Sequence, residues 1–271
     1  MIRYLLITAL ITLGFPNPGH SIEKYITLVG TTSTESSGLY DKILPIFEEK
    51  TGIQVRVISV GTGRAINIAK KGDADVLLVH HRKSEEEFIT KGFGVKRYDV
   101  MYNDFIIVGP KSDPANISNL KDVVEGLTRI ASTKNLFVSR GDNSGTHKKE
   151  LEIWELAGID VSKNNGIWYR ESGSGMGTTL NITAAIPAYT ICDRGTWLNF
   201  KNRGELQLLL EKDVILANPY GVILVNPKLH PHIKAEMGQS FIDWIIGKDG
   251  QIAISSFRVN GKQGFFPNAK K

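Results

Sequence analysis

The sequence has very little cysteine and no long apolar run. Cys192 is the single cysteine among 271 residues, so no internal disulfide can form, and its apolar neighbours predict a small buried side chain. The apolar run 4–15 is too short to span a bilayer, which takes about 20 residues. No internal repeat recurs at a period of about 20 to 50 residues. These absences exclude a disulfide-bonded scaffold and a repeat solenoid.

Signatures of catalysis are scarce as well. No Gly-x-Ser-x-Gly elbow occurs, and Ser118-x-x-Lys121 with Lys50-Thr51-Gly52 only superficially resembles penicillin-binding enzymes, because the order is reversed and no Ser-Asp-Asn is present. Gly61-x-Gly63 lacks the third glycine of a dinucleotide fingerprint, since Ile66 stands in its place. We therefore expect a protein that is not an enzyme. A secreted hydrolase is the rival class, with His147 as its one candidate base.

The charge pattern argues against nucleic acid as a partner. The net charge of +5 and the pI near 9.1 are basic, but Lys and Arg are interleaved with acids, as in the segment 42–50. Such interleaving favours a solvated surface over a nucleic-acid footprint. The histidine pairs His80-His81 and His230-x-His232 are interpreted as capping or surface groups, and no metal site is predicted.

The N-terminus has the layout of a secretory signal peptide. Arg3 precedes the apolar run 4–15, and Pro16, Pro18 and Ser21 follow it. We expect residues 1–21 to be cleaved on export to the periplasm; an uncleaved membrane anchor is the alternative. No cysteine lies near the cleavage region, so no lipid attachment is expected.

Strands and helices alternate along the chain, which predicts an α/β fold. Strand patterns at 25–29, 53–60 and 75–79 alternate with helical ones. The helix that follows the third strand is predicted from a capping box formed by Ser84 and Glu87. The alternation restarts after the long extended segment 100–108. A second extended segment, 214–225, is broken by the turn-like 218–221. Two crossings of this kind predict lobe I at 22–105 and 217–271 and lobe II at 106–216, with mostly parallel sheets.

Loops rich in glycine and hydroxyl side chains follow several of these strands and open into helices. They lie at 31–34, 61–63, 139–146 and 172–179. Helix N-termini present unpaired N–H groups and a positive dipole end, and in open α/β sheets such loops meet at the carboxyl ends of the strands. We therefore predict an anion site in the cleft between the lobes. Its candidate ligands are Thr32, Ser33, Thr62, Arg140, Ser144, Thr146 and Thr178.

Six motifs occur together in an order that is specific. They are Thr31-Thr32-Ser33-Thr34, Met101-Tyr102-Asn103-Asp104-Phe105, Val138-Ser139-Arg140-Gly141-Asp142 with Ser144-Gly145-Thr146-His147-Lys148-Lys149-Glu150, Gly175-Met176-Gly177 with Thr179-Leu180, Asp193-Arg194-Gly195-Thr196, and Asn218-Pro219-Tyr220-Gly221-Val222. With these motifs the chain resembles the tungstate-binding periplasmic component of bacterial ABC importers over about residues 25–268. The resemblance implies a two-lobed type II periplasmic-binding-protein fold, a bound tetrahedral oxyanion, no cofactor, and delivery to the membrane subunit of an ABC permease. The departures are modest: Glu35-Ser36 and Thr190-Ile191-Cys192 differ from the usual family residues.

The chemistry of tungstate fits this donor set. Tungstate is a fully deprotonated dianion near neutral pH, so its site should offer hydroxyl, N–H and guanidinium donors. Molybdate and sulfate are alternatives with the same requirement. Phosphate that carries a proton needs an acceptor, and Asp142 beside Arg140 could supply one if it faces the ligand. If Asp142 instead pairs with a helix start, selection by donors alone stands. We expect a monomer.

Overall fold

The structure of the protein is a computed structural model that describes residues 24–270. The predicted signal peptide, residues 1–21, lies outside the described residues. Within 24–270, none of the helices combines the length and the apolar character that crossing a membrane would require.

Twelve strands are present in the described part of the chain. They are β1 (Tyr25–Thr31), β2 (Gln54–Val60), β3 (Val76–Val79), β4 (Gly94–Pro110), β5 (Phe137–Ser139), β6 (Tyr169–Glu171), β7 (Thr190–Asp193), β8 (Leu206–Leu210), β9 (Ala217–Val225), β10 (Arg258–Val259), β11 (Lys262–Gln263) and β12 (Phe266–Pro267).

Ten α-helices accompany them in residues 24–270, with short 3-10 helices at Val161–Asn164 and Val214–Leu216. They are α1 (Thr32–Ser36), α2 (Leu39–Thr51), α3 (Thr62–Lys70), α4 (Arg82–Thr90), α5 (Val123–Ser132), α6 (Gly145–Leu156), α7 (Met176–Ala185), α8 (Arg194–Asn199), α9 (Ala235–Ile246) and α10 (Lys248–Ser256).

The helices form where apolar residues recur at helical spacing. In α2, Leu39, Ile43 and Phe47 are buried on one face, and the helix ends at Gly52, whose φ of 67° suits glycine. α4 begins differently from the sequence prediction: its N-cap is His81, whose side chain accepts the Ser84 N–H, so the capping box at Ser84 is wrong. Histidine can take this position because its unprotonated ring nitrogen is an acceptor like a hydroxyl or carboxylate oxygen.

The main sheet is mixed. Strands β2, β1 and β3 pair in parallel, as the alternation of strand and helix predicts. The long strands β4 and β9 then pair antiparallel with each other, and β9 pairs antiparallel with β3. β7 and β8 pair antiparallel with the far half of β4, so β4 runs from one half of the molecule into the other.

The interruption expected at 218–221 is absent, because β9 runs through it. Pro219 lies opposite Tyr102 of β4. The pairing of β9 with β3 begins only at Gly221, so Pro219 has no strand on its other side and its missing N–H breaks no ladder there.

The buried apolar side chains form separate clusters in the two halves. Two clusters draw on residues before 102 and after 219, among them Leu28, Phe47 and Phe241. Two others draw on residues between 105 and 216, among them Phe137 and Trp154. Leu198 is an exception, since it belongs to α8 but packs in the first half. These cores are consistent with two lobes, and the boundaries at 105/106 and 216/217 stay predictions.

Candidate anion site between the lobes

The N-termini of α3 and α6 meet where the two halves of the molecule touch. The N–H of Gly63, in the first turn of α3, donates to the carbonyl of Asn143 at 3.3 Å, just before α6 begins. A β-carbon added to Gly61 would lie 3.5 Å from Cβ of Ser144. Both helices are long enough to carry a dipole, so their positive ends reinforce each other at this point.

Gly145 is required by this close approach. A β-carbon at this position would lie 2.9 Å from Oγ1 of Thr62 and 2.7 Å from Cε1 of His80. Both neighbours belong to the first half of the molecule, whereas Gly145 opens α6 in the second. Glycine therefore lets the two helix N-termini come together around a small space.

The backbone at Arg140 is fixed from both sides. Ser139 Oγ donates to the Glu150 carboxylate at 2.7 Å and accepts the Gly141 N–H at 3.2 Å. The carbonyl of Arg140 accepts a hydrogen bond from Ser172 Oγ at 3.2 Å. Gly141 has a φ of +61°, and a β-carbon there would meet Glu171 at 2.6 Å. The loop that carries Arg140 is thus held in one conformation.

Glu150 anchors this loop from beneath. Its carboxylate is fully buried and accepts hydrogen bonds from Ser139, from Nε1 of Trp154 at 3.1 Å and from the hydroxyl of Tyr169 at 2.8 Å. Burial raises the pKa of Glu150 to about 7, and these donors act in the opposite direction.

The side chain of Arg140 is buried and reaches across the cleft. Its exposed fraction is 2%, and Nη2 donates to Oγ1 of Thr32 at 3.3 Å and to Oδ2 of Asp142 at 2.5 Å. Oδ1 of Asp142 accepts the N–H of Ser144 at 3.2 Å. Asp142 therefore pairs within its own loop, at the start of α6, which is the arrangement that leaves selection to donors.

Four buried donor atoms near these loops have no partner among residues 24–270. They are Nε of Arg140, the hydroxyls of Thr62 and Thr146 in the first turns of α3 and α6, and Nε2 of His147. An unpaired donor in a protein interior costs about 1–3 kcal/mol, so such groups call for a partner that accepts hydrogen bonds. An oxyanion is a partner of that kind.

The other predicted ligands are placed less uniformly. Ser144 caps α6 by accepting the His147 N–H at 3.2 Å, a bond that leaves its hydroxyl proton unused. Thr32 is half-buried and accepts from Arg140. Thr178 is exposed in the first turn of α7; its neighbour Thr179 is buried and bonds Ser172 at 2.8 Å. A ligand role for each of these residues stays a prediction.

His80 is a buried neighbour of the anion loops, so its interpretation as a capping or surface group is wrong. The ring is buried and lies between Oδ1 of Asn218, at 2.8 Å from Nδ1, and Oγ of Ser33, at 3.1 Å from Nε2. Burial lowers the pKa of His80 to about 4, and the nearby charge of Arg140 acts in the same direction, so the ring is neutral. With the amide oxygen facing it, Nδ1 donates and Nε2 accepts the hydroxyl proton of Ser33. The backbone N–H of Ser33, rather than its hydroxyl, is then the donor left for a ligand.

Asn218 continues this chain of bonds to the crossing strands. Its Nδ2 donates to Oδ1 of Asn103 at 2.6 Å, and both amides are buried where β4 and β9 pair. Isolated asparagines in strands carry no signal of such a link.

Asp193 and His147 are two further titratable groups near the site. Asp193 is buried and caps α8, with its two oxygens accepting from the N–H and the hydroxyl of Thr196, each at 2.8 Å. Nδ1 of His147 accepts the N–H of Asn143 at 3.1 Å, so Nε2 carries the proton and the neutral ring has no lone pair left to act as a base. Cys192 is buried, as predicted.

A cavity of about 910 Å³ opens elsewhere, between α8, β8 and the C-terminal strands β10 to β12. It is lined by paired charges and by apolar groups such as Trp197 and Phe266. None of the seven predicted ligands lines it, so it is a feature separate from the anion site.

Comparison with known proteins identifies the family of this chain. The family model described as a PBP superfamily domain matches residues 18–249. The chain belongs to the PBP superfamily. It is 46% identical to the tungstate-binding protein TupA of Peptoclostridium acidaminophilum, over 91% of this chain and 86% of that one. At this identity and coverage the chain also belongs to the TupA family.

Two solved structures share the fold and much of the sequence. The tungstate ABC transporter structure from Geobacter sulfurreducens has a TM-score of 0.79 and 46% identity, covering 87% of this chain and 99% of that one. The tungstate-binding protein TupA of Desulfovibrio alaskensis has a TM-score of 0.78 and 39% identity, covering 91% of this chain and 100% of that one. These matches confirm the predicted type II periplasmic-binding-protein fold.

Proposed function

We propose that this protein is an extracytoplasmic solute-binding protein that captures tungstate between its lobes and delivers it to an ABC permease. The observation that carries the proposal is the set of buried donors without protein partners, on Arg140, Thr62 and Thr146, beside the N-termini of α3 and α6. The names of the TupA relatives, which are tungstate-binding proteins, support the same ligand. Thr32, Ser33, Ser144 and Thr178 complete the proposed ligand set.

The charges around the site favour an anion that has no proton. Both oxygens of Asp142 accept hydrogen bonds from its own loop, and those of Asp193 accept from Thr196. Both carboxylates are thus engaged by donors of their own loops, which disfavours an anion that needs an acceptor, such as monohydrogen phosphate. Tungstate, molybdate and sulfate meet the requirement equally, and the relatives favour tungstate among them.

The expected binding free energy is reasonable for a small anion. A charge-assisted hydrogen bond contributes about 1.5–3 kcal/mol, and nanomolar affinity corresponds to about 12 kcal/mol. About six such bonds reach that value before the cost of association is counted, and exclusion of water by the closed lobes strengthens each bond.

We also infer the cellular setting. Residues 1–21 act as a cleaved signal without lipid attachment, and the mature chain works as a monomer in the periplasm. The layout of the N-terminus and the ABC transporter relatives support this placement.

A competition titration tests the ligand. Calorimetry with tungstate, molybdate, sulfate and phosphate should give the tightest binding for tungstate and the weakest for phosphate. Tighter binding of phosphate than of tungstate would contradict the proposal, as would turnover of an ester or phosphate substrate that depended on His147.

Arg140→Ala tests the site itself. It should weaken tungstate binding more than tenfold, because one charge-assisted bond is worth about 1.5–3 kcal/mol. Arg170→Ala, at an exposed position on the neighbouring strand β6, is the matched control and should bind like the wild type. Equal affinities for the two variants would remove Arg140 from the site.

A further inference from the structure

Two pairs of side chains join α6 to the start of α4 across the cleft, beside the anion loops. Nζ of Lys148 donates to Oγ of Ser84 at 2.8 Å, and Nε2 of His81 lies 3.1 Å from Oε1 of Glu152. The partners are 64 and 71 positions apart in sequence. His81 and Ser84 belong to the first half of the molecule, and Lys148 and Glu152 belong to the second. We call these four residues the clasp.

Every hydrogen bond of the clasp can be assigned one donor and one acceptor without conflict. Nδ1 of His81 accepts the Ser84 N–H at 3.3 Å, so in the neutral ring Nε2 carries the proton and donates it to Glu152. The ammonium of Lys148 can only donate, so Oγ of Ser84 accepts from it and directs its own proton to Nδ1, at 2.7 Å, whose single lone pair is shared between the N–H and the O–H of Ser84. Each polar group in the clasp thus has a partner that suits it.

His81 and Glu152 of the clasp also have contacts within their own halves of the molecule. The backbone N–H of His81 donates to the buried carboxylate of Glu85 at 2.8 Å, and Nε of Arg97 binds the same carboxylate at 2.6 Å. On α6, Nζ of Lys149 lies 2.9 Å from the carboxylate of Glu152. The side chain of His81 is only 11% exposed, so its bond to Glu152 is partly shielded from water. Side chains that are already ordered lose little entropy when the lobes close.

We propose that the clasp holds the two lobes together over the bound anion and sets how slowly the anion leaves. The inference rests on the proposed function for the identity of the anion, but the contacts between the lobes stand without it. The two bonds from α6, Lys148 to Ser84 and Glu152 to His81, join the two halves and involve none of the predicted ligands, so their loss should speed dissociation of the anion.

The test compares a double variant with a matched control. Lys148→Met with Glu152→Ala removes both contacts, whereas Lys121→Met with Glu155→Ala changes the same residue types at exposed positions. Release of radiolabelled tungstate into excess unlabelled tungstate should be roughly three- to tenfold faster in the clasp variant, as expected for two partly exposed polar contacts. The control should release it at the rate of the wild type.

Small-angle scattering of the anion-free proteins separates the clasp from the proposed function. The clasp variant should have a larger radius of gyration than the control, and thermal melting should show both to be folded. Equal release rates and equal radii would overturn the clasp. If tungstate fails to bind the wild type while the radii differ, the proposed function falls and the clasp stands.

Discussion

Several contacts join the lobes, and two of them differ in how they are built. The first is the hinge ladder, in which residues 101–104 of β4 pair with 217–220 of β9. Its backbone is continuous with both lobes, and its amides of Asn103 and Asn218 are buried. The clasp consists of side chains alone, and all of them are partly exposed. Because the hinge ladder lies within continuous strands of the main sheet, we expect it to persist when the lobes open, so that contacts like the clasp and the anion loops determine the free energy of closing.

A salt-bridge network reinforces the hinge ladder on its outer side. Arg194 binds both carboxylate oxygens of Asp104 at 2.5 Å, and it binds Glu211 at 2.6 Å. Arg194 opens α8, Asp104 lies in β4, and Glu211 follows β8. The hydrogen bonds to Asp104 raise the pKa of Arg194 further above its ordinary range. This network connects the start of α8 and the residue after β8 to the part of β4 that passes from one lobe to the other.

The largest effect on tungstate affinity is expected from an added methyl group where the two lobes meet. Gly145→Ala puts a methyl group against Thr62 and His80, closer than ordinary contact allows, while the hinge ladder and the clasp residues stay intact. Overpacking of this kind costs roughly 1–3 kcal/mol. Because the strain exists only when the lobes meet, tungstate affinity measured by calorimetry should fall by about fivefold to a hundredfold.

Gly264→Ala is the control for this substitution. It also adds a methyl group, but to a glycine outside the anion loops, where the nearest atom lies 3.7 Å from the added carbon, which is ordinary van der Waals contact. If both variants bound tungstate like the wild type, the cleft would not close on Gly145.

A smaller effect, on a different quantity, is expected at the hinge. Arg194→Ala leaves Asp104 and Glu211 without their shared partner and should lower the free energy of unfolding by roughly 1–3 kcal/mol, measured in urea. The rate of anion release should change little. Arg194→Lys keeps the charge but not the paired geometry, so an intermediate loss is expected. If Arg194→Ala released tungstate faster and unfolded with an unchanged free energy, the proposed difference between the hinge ladder and the clasp would be wrong.

The smallest effect is the response of the clasp to acid. Burial lowers the pKa of His81 below its ordinary value of about 6.5 in the closed form, so the closed form binds protons less readily than an open one. Closure is therefore strongest above about pH 6.5 and weakens as the pH falls through that value, by at most about tenfold per pH unit for one proton. The protonated ring can no longer accept from Ser84, whereas its bond to Glu152 survives.

The groups around His81 define the control for this experiment. The charged or titratable side chains that face it are Lys148, Lys149 and Glu152 on α6, Glu85 on α4, Arg97 on β4 and the adjacent His80. Anion release should be measured between about pH 7.5 and about pH 6, where His80 stays neutral. Burial also lowers the pKa of His147, so a His147→Gln variant is needed beside His81→Gln. A pH response that survived in His81→Gln and vanished in His147→Gln would assign it to the anion loop instead.

The sequence predicted those parts of the site that depend on local chemistry. The glycine and hydroxyl loops after strands led to Thr62, Thr146 and Arg140, whose buried donors meet in the structure. His80 was missed, because a histidine at a strand end gives no sign of the buried amide of Asn218, 138 positions away. The clasp was missed for the same reason: nothing local to Ser84 or Lys148 indicates that they touch.

The antiparallel pairing of β4 with β9 has a consequence for how the lobes move. Two neighbouring strands of one ladder bend together, so the lobes share a single axis about which to swing. Sliding of one strand past the other would break backbone hydrogen bonds between them. A single axis would bring the helix N-termini back to the same relative position each time the lobes close. The geometry of the anion site would then be the same in every cycle of binding and release.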